Sequence, residues 1–179
     1  YYIPSRYKDG YGLNVNMVKI AAEKGYSLIV TVDNGVSAHE AIALAHELGV
    51  DVIITDHHEI TRDIPSDIVG IMHPIYSGYG DVYCCGAYVS YMLSTALLGY
   101  HDDYLCVLAG IATIADMMEL KDYNRNIVRL ALKNMNNNYY LPLRLLSGEG
   151  VIDEADISHM LPPTYINDHK GSRGKVLII

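Results

Sequence analysis

The 179 residues suffice for one domain with a substantial core and are too few for two ordinary ones. Half are apolar and 19% are charged, which excludes a disordered tail. With 13 basic against 21 acidic residues and a net charge of −8, the chain is not one that holds nucleic acid by unspecific attraction alone, although a local grip or bound cations remain open to it.

The chain opens on Tyr1-Tyr2-Ile3-Pro4, extended through Ser5, and reads as a piece of a longer protein entered partway through a strand. Asn14 is placed to cap a helix running to Lys24, with Met17, Ile20 and Ala21 on one face and Gly25 as its stop. Residues 27–32 form a continuous apolar run, the pattern of a strand buried on both faces. Ser37 is placed to cap a second helix through Ala41, Leu44, Ala45 and Leu48, and 51–55 repeat the buried-strand pattern. Strands and helices alternating at this spacing predict an α/β fold with a parallel, doubly wound sheet. A short strand at 68–72 ends at His73-Pro74, and the Gly- and Tyr-rich stretch 75–85 reads as a loop. The period then turns helical over 86–98, 103–115 and 124–135, so a mainly helical segment follows the sheet. A polar break covers 134–140, a short helix is expected at 141–147, and the last thirty residues, with Pro162-Pro163 and Gly171-Ser-Arg-Gly174, carry no clear pattern.

The longest apolar stretch, 104–115, is too short to span a bilayer, so no membrane association is expected. Cys84, Cys85 and Cys106 have no CxxC spacing and fit a reducing, cytoplasmic compartment better than a disulfide scaffold. The 16 tyrosines, with no Phe or Trp, include Tyr88 and Tyr91 where a plain ring is expected, and a buried tyrosine needs a partner for its hydroxyl.

Open parallel sheets bind ligands outside the carboxyl ends of their strands. Two strands here end in polar groups, Asp33-Asn34-Gly35 and Asp56-His57-His58. Carboxylate and imidazole donors converging there suit Mn²⁺, Mg²⁺ or Zn²⁺ better than Ca²⁺. Asp116, directly after the apolar helix, is a third candidate, because a charge at that position is costly unless paired or bound to metal. Taken singly, these groups have plainer readings as a turn, a surface pair and a cap; their combination at three element ends is the specific feature. His39, His46, His101, His159 and His169 are read as structural or surface residues, and so is His73, although its strand end lies near the site.

Thr31-Val-Asp-Asn-Gly35, Asp56-His57-His58, Cys85-Gly-Ala-Tyr-Val89 and Thr113-Ile-Ala-Asp116, in this order and spacing, resemble the DHH phosphoesterases. Within them, Tyr2-Ile-Pro-Ser-Arg6 with Asp9-Gly-Tyr-Gly-Leu13, and Asp122-Tyr-Asn-Arg125, are similar to the RecJ-type single-strand exonucleases. The resemblance covers about residues 1–135 and implies a DHH domain there, with 136–179 as a linker and partial C-terminal segment. It further implies that Asp33 bridges two metal ions, that His57 and Asp116 complete the shell of one, and that Asp56 supports the histidine pair. His58 then faces the scissile phosphate, and Arg6 recognises a terminal 5′ phosphate. A late block, Ile166-Asn167 with Gly171-Ser-Arg173, makes Arg173 a further substrate-binding candidate.

The family's first strand and its Asp-x-Asp-Gly motif are expected upstream of Tyr1. The chain by itself is therefore expected to hold part of a two-metal site and to be inactive or weakly active. The implied function is that of a metal-dependent phosphodiesterase using two Mn²⁺ (or Mg²⁺) ions to degrade single-stranded DNA from its 5′ end, with replication or repair proteins as possible partners. Hydrolysis of short oligonucleotides or cyclic dinucleotides, and a non-catalytic scaffold, are the alternatives.

Overall fold

The computed structural model describes residues 1–4, 7, 10–78, 83–135, 142 and 143, together with the backbone of 176–178. Asn14 caps α1 (Val15–Glu23) as its position predicts, its side-chain oxygen accepting the Met17 amide at 3.1 Å. Met17, Val18 and Ala21 form the buried stripe of α1. Ile20, expected among them, falls beside that stripe and is exposed, because Val18 draws its centre to the other side. Gly25, at φ +71°, ends the helix by taking a left-handed conformation.

β1 (Leu28–Val32) and β2 (Asp51–Thr55) pair in parallel, in a register running from Leu28 opposite Asp51 to Val32 opposite Thr55. β3 (Gly70–Met72) adds to the far edge of β2, and β4 (Val176–Ile178) pairs in parallel with the other edge of β1. The sheet order is thus β3-β2-β1-β4. The sequence pattern assigns no element to β4, and residues 1–4, expected as a strand, join no ladder.

α2 (His39–Glu47) begins from Ala38 with no side-chain cap. Ser37, expected as that cap, instead lies in a turn closed by the Ala38 amide on the Gly35 carbonyl at 3.0 Å, which moves the helix start beyond it. The buried face of α2 is Ala41, Ile42 and Ala45, while Leu48 is exposed. α1 and α2 pack together over one face of the sheet, where they bury Ile29, Val52 and Ile54 in one apolar cluster. The other face, with Val30, Val32 and Ile53, is only half-buried. Burial on both faces, expected from the apolar runs, is therefore one-sided among the described residues.

Three helices follow: α3 (Gly86–Leu98), α4 (Asp103–Ala115) and α5 (Asp122–Asn134). They enclose a second cluster of Tyr91, Cys106, Ala109, Ile127 and Val128. α4 and α5 approach closely at Gly110, where a Cβ would overlap the Ala131 methyl and lie 3.0 Å from the Ile127 carbonyl oxygen. The buried Tyr91 satisfies its hydroxyl on His101 Nδ1 at 2.9 Å, which offsets the polar cost of a tyrosine there. Of the short helix expected at 141–147, residues 142 and 143 are helical and the rest lies outside the described residues. Among the described residues no helix is long and apolar enough to cross a membrane.

Candidate metal centre

The carboxyl ends of the strands are tied together before any functional group appears. Thr55 Oγ1 donates to the Thr31 carbonyl at 2.6 Å, the Asp33 amide donates to the Thr55 carbonyl at 2.9 Å, and the Asp56 amide donates to the Met72 carbonyl at 3.1 Å. Asp33 and Asp56 are thereby fixed at the same sheet edge. Asp33 sits at φ +64°, a left-handed conformation that aspartate tolerates better than most residues. The chain can turn so sharply because Gly35 follows, at φ +122°, where a Cβ would fall 2.7 Å from Thr31 Oγ1. Gly86, the first residue of α3, lies against the Asp33 side chain, and a Cβ there would overlap its carboxylate.

Asp56 is the anchor of the next segment. Its carboxylate is 1% exposed and accepts the amides of Val36 at 3.0 Å, His57 at 2.8 Å and His58 at 3.2 Å, together with His58 Nδ1 at 2.6 Å. Burial alone raises its pKa, but the hydrogen bonds from Val36, His58 and His57 outweigh that and hold it below the ordinary carboxylate value. An ionised Asp56 accepts the hydrogen bond from His58 Nδ1–H, which leaves Nε2 as the ring nitrogen outside that bond.

His57, with its side chain 14% exposed, stands beside His58, the two ring centroids 4.7 Å apart. Its Nε2 lies 3.0 Å from Asp33 Oδ1 and 3.9 Å from Asp116 Oδ2. The Asp33 hydrogen bond raises the His57 pKa above 6.5; burial opposes this, and the charges of Asp33, Asp116 and Asp56 add to the rise. Asp116 caps the end of α4 and is half-exposed, so it carries little of the burial cost expected for a charge after an apolar helix. Asp33, His57 and His58 each offer a ligand atom within 4.8 Å of the others.

Two carboxylates around one imidazole leave an excess of negative charge that a divalent cation neutralises. Carboxylate oxygens suit Mn²⁺ or Mg²⁺, and the imidazole nitrogen among them also suits a borderline ion such as Zn²⁺. The structure thus brings together Asp33, His57, His58 and Asp116, with Asp56 behind them. Arg6 and Arg173 lie outside the described residues.

Three residues given no role of their own in the sequence reading hold this site. Asn34 accepts the Leu13 amide on Oδ1 at 3.0 Å and donates to the Val32 carbonyl at 2.9 Å, strapping the segment before α1 to the sheet edge. Asn124, wholly buried in α5, donates to the carbonyls of Glu119 at 2.9 Å and Tyr83 at 2.8 Å, fixing the chain just beyond Asp116 and just before α3. His73, after β3, donates from Nε2 to the His58 carbonyl at 2.8 Å. The Asp122-Tyr-Asn-Arg125 block was the available signal for Asn124; nothing local marks the long-range bonds of the other two.

Comparison with known proteins matches residues 1–135 to the model of the DHH family, N-terminal domain. The chain is 44% identical over 161 residues to the single-stranded-DNA-specific exonuclease RecJ of Bacillus subtilis (strain 168), covering 87% of this chain and 20% of that protein. It is 35% identical to the Salmonella typhimurium protein of the same name, over 70% of this chain and 24% of that one. The chain thus spans about a fifth to a quarter of the length of these curated relatives. Among solved structures, an exonuclease RecJ bound to manganese superposes with a TM-score of 0.72 and 31% identity, covering 82% of this chain and 38% of that one. RecJ from Thermus thermophilus in complex with Mn²⁺ gives 0.66 and 30%, over 75% of this chain and 21% of its own.

Proposed function

This chain belongs to the DHH family, and on that footing we propose that it supplies much of the catalytic centre of a metal-dependent phosphodiesterase that degrades single-stranded DNA from the 5′ end. The observation that carries the proposal is the meeting of Asp33, His57 and Asp116, from β1, the segment after β2 and the end of α4, around one imidazole nitrogen at 3.0 and 3.9 Å. Its similarity to RecJ proteins, two of them solved with manganese, supports both the substrate class and the ion.

In this reading Asp33, His57 and Asp116 are the residues that would hold Mn²⁺ or Mg²⁺. Bound ions of this kind supply a water of lowered pKa and positive charge against the phosphate oxygens. They also reconcile an acidic chain with a polyanionic substrate. The protein's own part is orientation. Asp56 accepts the hydrogen bond from His58 Nδ1–H and so fixes the orientation of the ring that faces the substrate. The Thr31–Thr55 pairing keeps Asp33 in register with that histidine pair.

Arg6, and with it Arg173, grips substrate in this scheme, since a guanidinium holds a terminal phosphate by paired charge-assisted hydrogen bonds. Residues 1–135 form the catalytic portion, and β4 (Val176–Ile178) adds to its sheet beside β1. The buried free cysteines Cys84, Cys85 and Cys106 support a cytoplasmic setting, where proteins of replication or repair are the expected partners.

The test is nucleotide release from 5′-phosphorylated single strands by the intact protein with and without Mn²⁺. Activity should depend on the metal, and His57→Ala should reduce it by more than the roughly hundredfold reached when a ligand loses an outer-shell partner. Metal-independent activity, or a His57→Ala variant that matches wild type, overturns the proposal.

A further inference from the structure

We propose that His73 is a positioning residue for this site: its ring N–H holds the backbone carbonyl of His58 and so sets where the His58 imidazole stands. The inference rests on the functional reading above. His73 follows β3 directly, is 1% exposed, and reaches across to the neighbouring strand's loop, with Nε2 2.8 Å from the His58 carbonyl oxygen.

The ring is held from its own side as well. Its Nδ1 receives the Tyr76 amide at 3.5 Å, its own amide donates to Ser77 Oγ at 3.0 Å, and the Ser77 amide returns to the His73 carbonyl at 2.8 Å. With Nδ1 accepting and Nε2 donating, the ring is the neutral Nε2–H tautomer. It sits beside a mainly apolar cavity lined by Met72, Pro74, Tyr88, Val89 and Met92. A side chain whose only duty there was to fill space would be cheaper as leucine, because a buried imidazole needs both nitrogens satisfied. Both are satisfied here, one of them on the histidine pair.

The bond has a specific place in the geometry. Asp56 holds the amides of His57 and His58 and the His58 ring. The Asp56 amide ties the start of this segment to the Met72 carbonyl of β3, and the His58 carbonyl is tied to His73 just after β3, so the pair is clamped at both ends. Loss of the His73 bond leaves His57 on its Asp56 anchor and frees the far end, at His58. The consequence falls on turnover rather than on metal binding.

The experiment compares His73→Leu, His73→Gln and His73→Asn in the intact protein, on 5′-phosphorylated single strands with Mn²⁺. Mn²⁺ affinity is read by calorimetric titration and folding by thermal midpoint. Glutamine places an amide N–H near the original Nε2, whereas asparagine is too short to reach. In His73→Leu, kcat should fall about ten- to a hundredfold, with KM and Mn²⁺ affinity within about threefold of wild type, and His73→Gln should recover most of the loss. If the leucine variant does not fold, the comparison of glutamine with asparagine decides: activity kept in the first and lost in the second supports the role. Wild-type kcat in folded His73→Leu, equal losses in the glutamine and asparagine variants, or a parallel loss of Mn²⁺ affinity overturns it. His57→Ala, run alongside, separates the two claims. If it is unaltered, the site itself is wrong; if it is inactive beside a wild-type-like His73→Leu, only the role of His73 fails.

Discussion

Gly86 and Asp33 occupy adjoining space, so that a Cβ at position 86 would overlap Oδ1 of the Asp33 carboxylate. The first turn of α3 is thereby the wall against which a ligand-bearing side chain rests. Gly86→Ala should push Asp33 away from His57, lowering Mn²⁺ affinity about tenfold or more while costing about 1–3 kcal/mol as an overpacked contact. Gly110→Ala, which crowds α5 in the same manner far from Asp33, should cost similar stability with a smaller effect on the metal. Calorimetric Mn²⁺ titration paired with denaturant unfolding distinguishes them; equal affinity losses in the two variants would refute a specific role for Gly86.

The His57 ring gives metal binding and metal-free stability opposite pH dependences. Its hydrogen bond with Asp33, against burial and with added charge from Asp33, Asp116 and Asp56, holds its folded pKa above 6.5. The resulting stabilisation is complete below 6.5 and is lost as pH rises through the raised folded value. A metal ligand must be the neutral ring, so Mn²⁺ affinity instead climbs with pH through that raised value. Affinity measured across pH should show its midpoint above 6.5, and chelator-treated protein should lose stability in the same window. His57→Gln should flatten both curves, and an affinity midpoint at or below 6.5 would contradict the geometry.

Asp56→Asn tests the anchor. An amide can keep one acceptor oxygen, but its NH₂ must then face either the Val36 amide or the amides of His57 and His58, donor against donor. Leaving such buried groups unsatisfied should cost about 3 kcal/mol in urea unfolding. The wild-type carboxylate, held below its ordinary pKa, contributes its stabilisation above that ordinary value and loses it as pH falls through the folded one. The variant should therefore show a weaker loss of stability in acid. A variant as stable as wild type would remove Asp56 from this role.

For Arg6 the measurement is the ratio of kcat/KM on 5′-phosphate and 5′-hydroxyl ends in the intact protein. Arg6→Lys should lower that preference by about 1–3 kcal/mol, the scale of a charge-assisted hydrogen bond, because an ammonium cannot reproduce a two-pronged grip. Mn²⁺ affinity should stay unchanged. An unaltered ratio would make Arg6 a surface charge and would favour short oligonucleotides as substrates.

What could be read from the sequence was local in origin. β2 at 51–55 and the helices at 86–98 and 103–115 coincide with their expected bounds, because their signals are local: an apolar run for β2, Gly99 at the end of α3, and Asp102 capping α4. Asp33 and His57 were legible because the carboxyl ends of neighbouring parallel strands share one edge, and Asp116 because a charge directly after an apolar helix stands out. What escaped depends on partners far along the chain. Leu13 meets Asn34 across 21 positions, His73 meets His58 across 15 and Asn124 meets Tyr83 across 41. One-sided sheet burial escaped for a related reason, since an apolar run does not say which of its faces the helices will cover. The expected Ser37 cap failed because a turn from Gly35 to Ala38 competed with it.

The close approach of α4 and α5 at Gly110 has a mechanical result for the site. With no side chain between them there, the two helices have little room to slide and behave as a single stiff arm. Asp116 stands at the tip of that arm, while Asp33 and His57 stand on the sheet. The candidate ligands are thus divided between two mechanical parts, 3.9 Å apart at Asp116 and His57. A tilt of the arm relative to the sheet changes the separation of Asp116 from His57, so cation affinity becomes a gauge of how firmly the helical arm is seated.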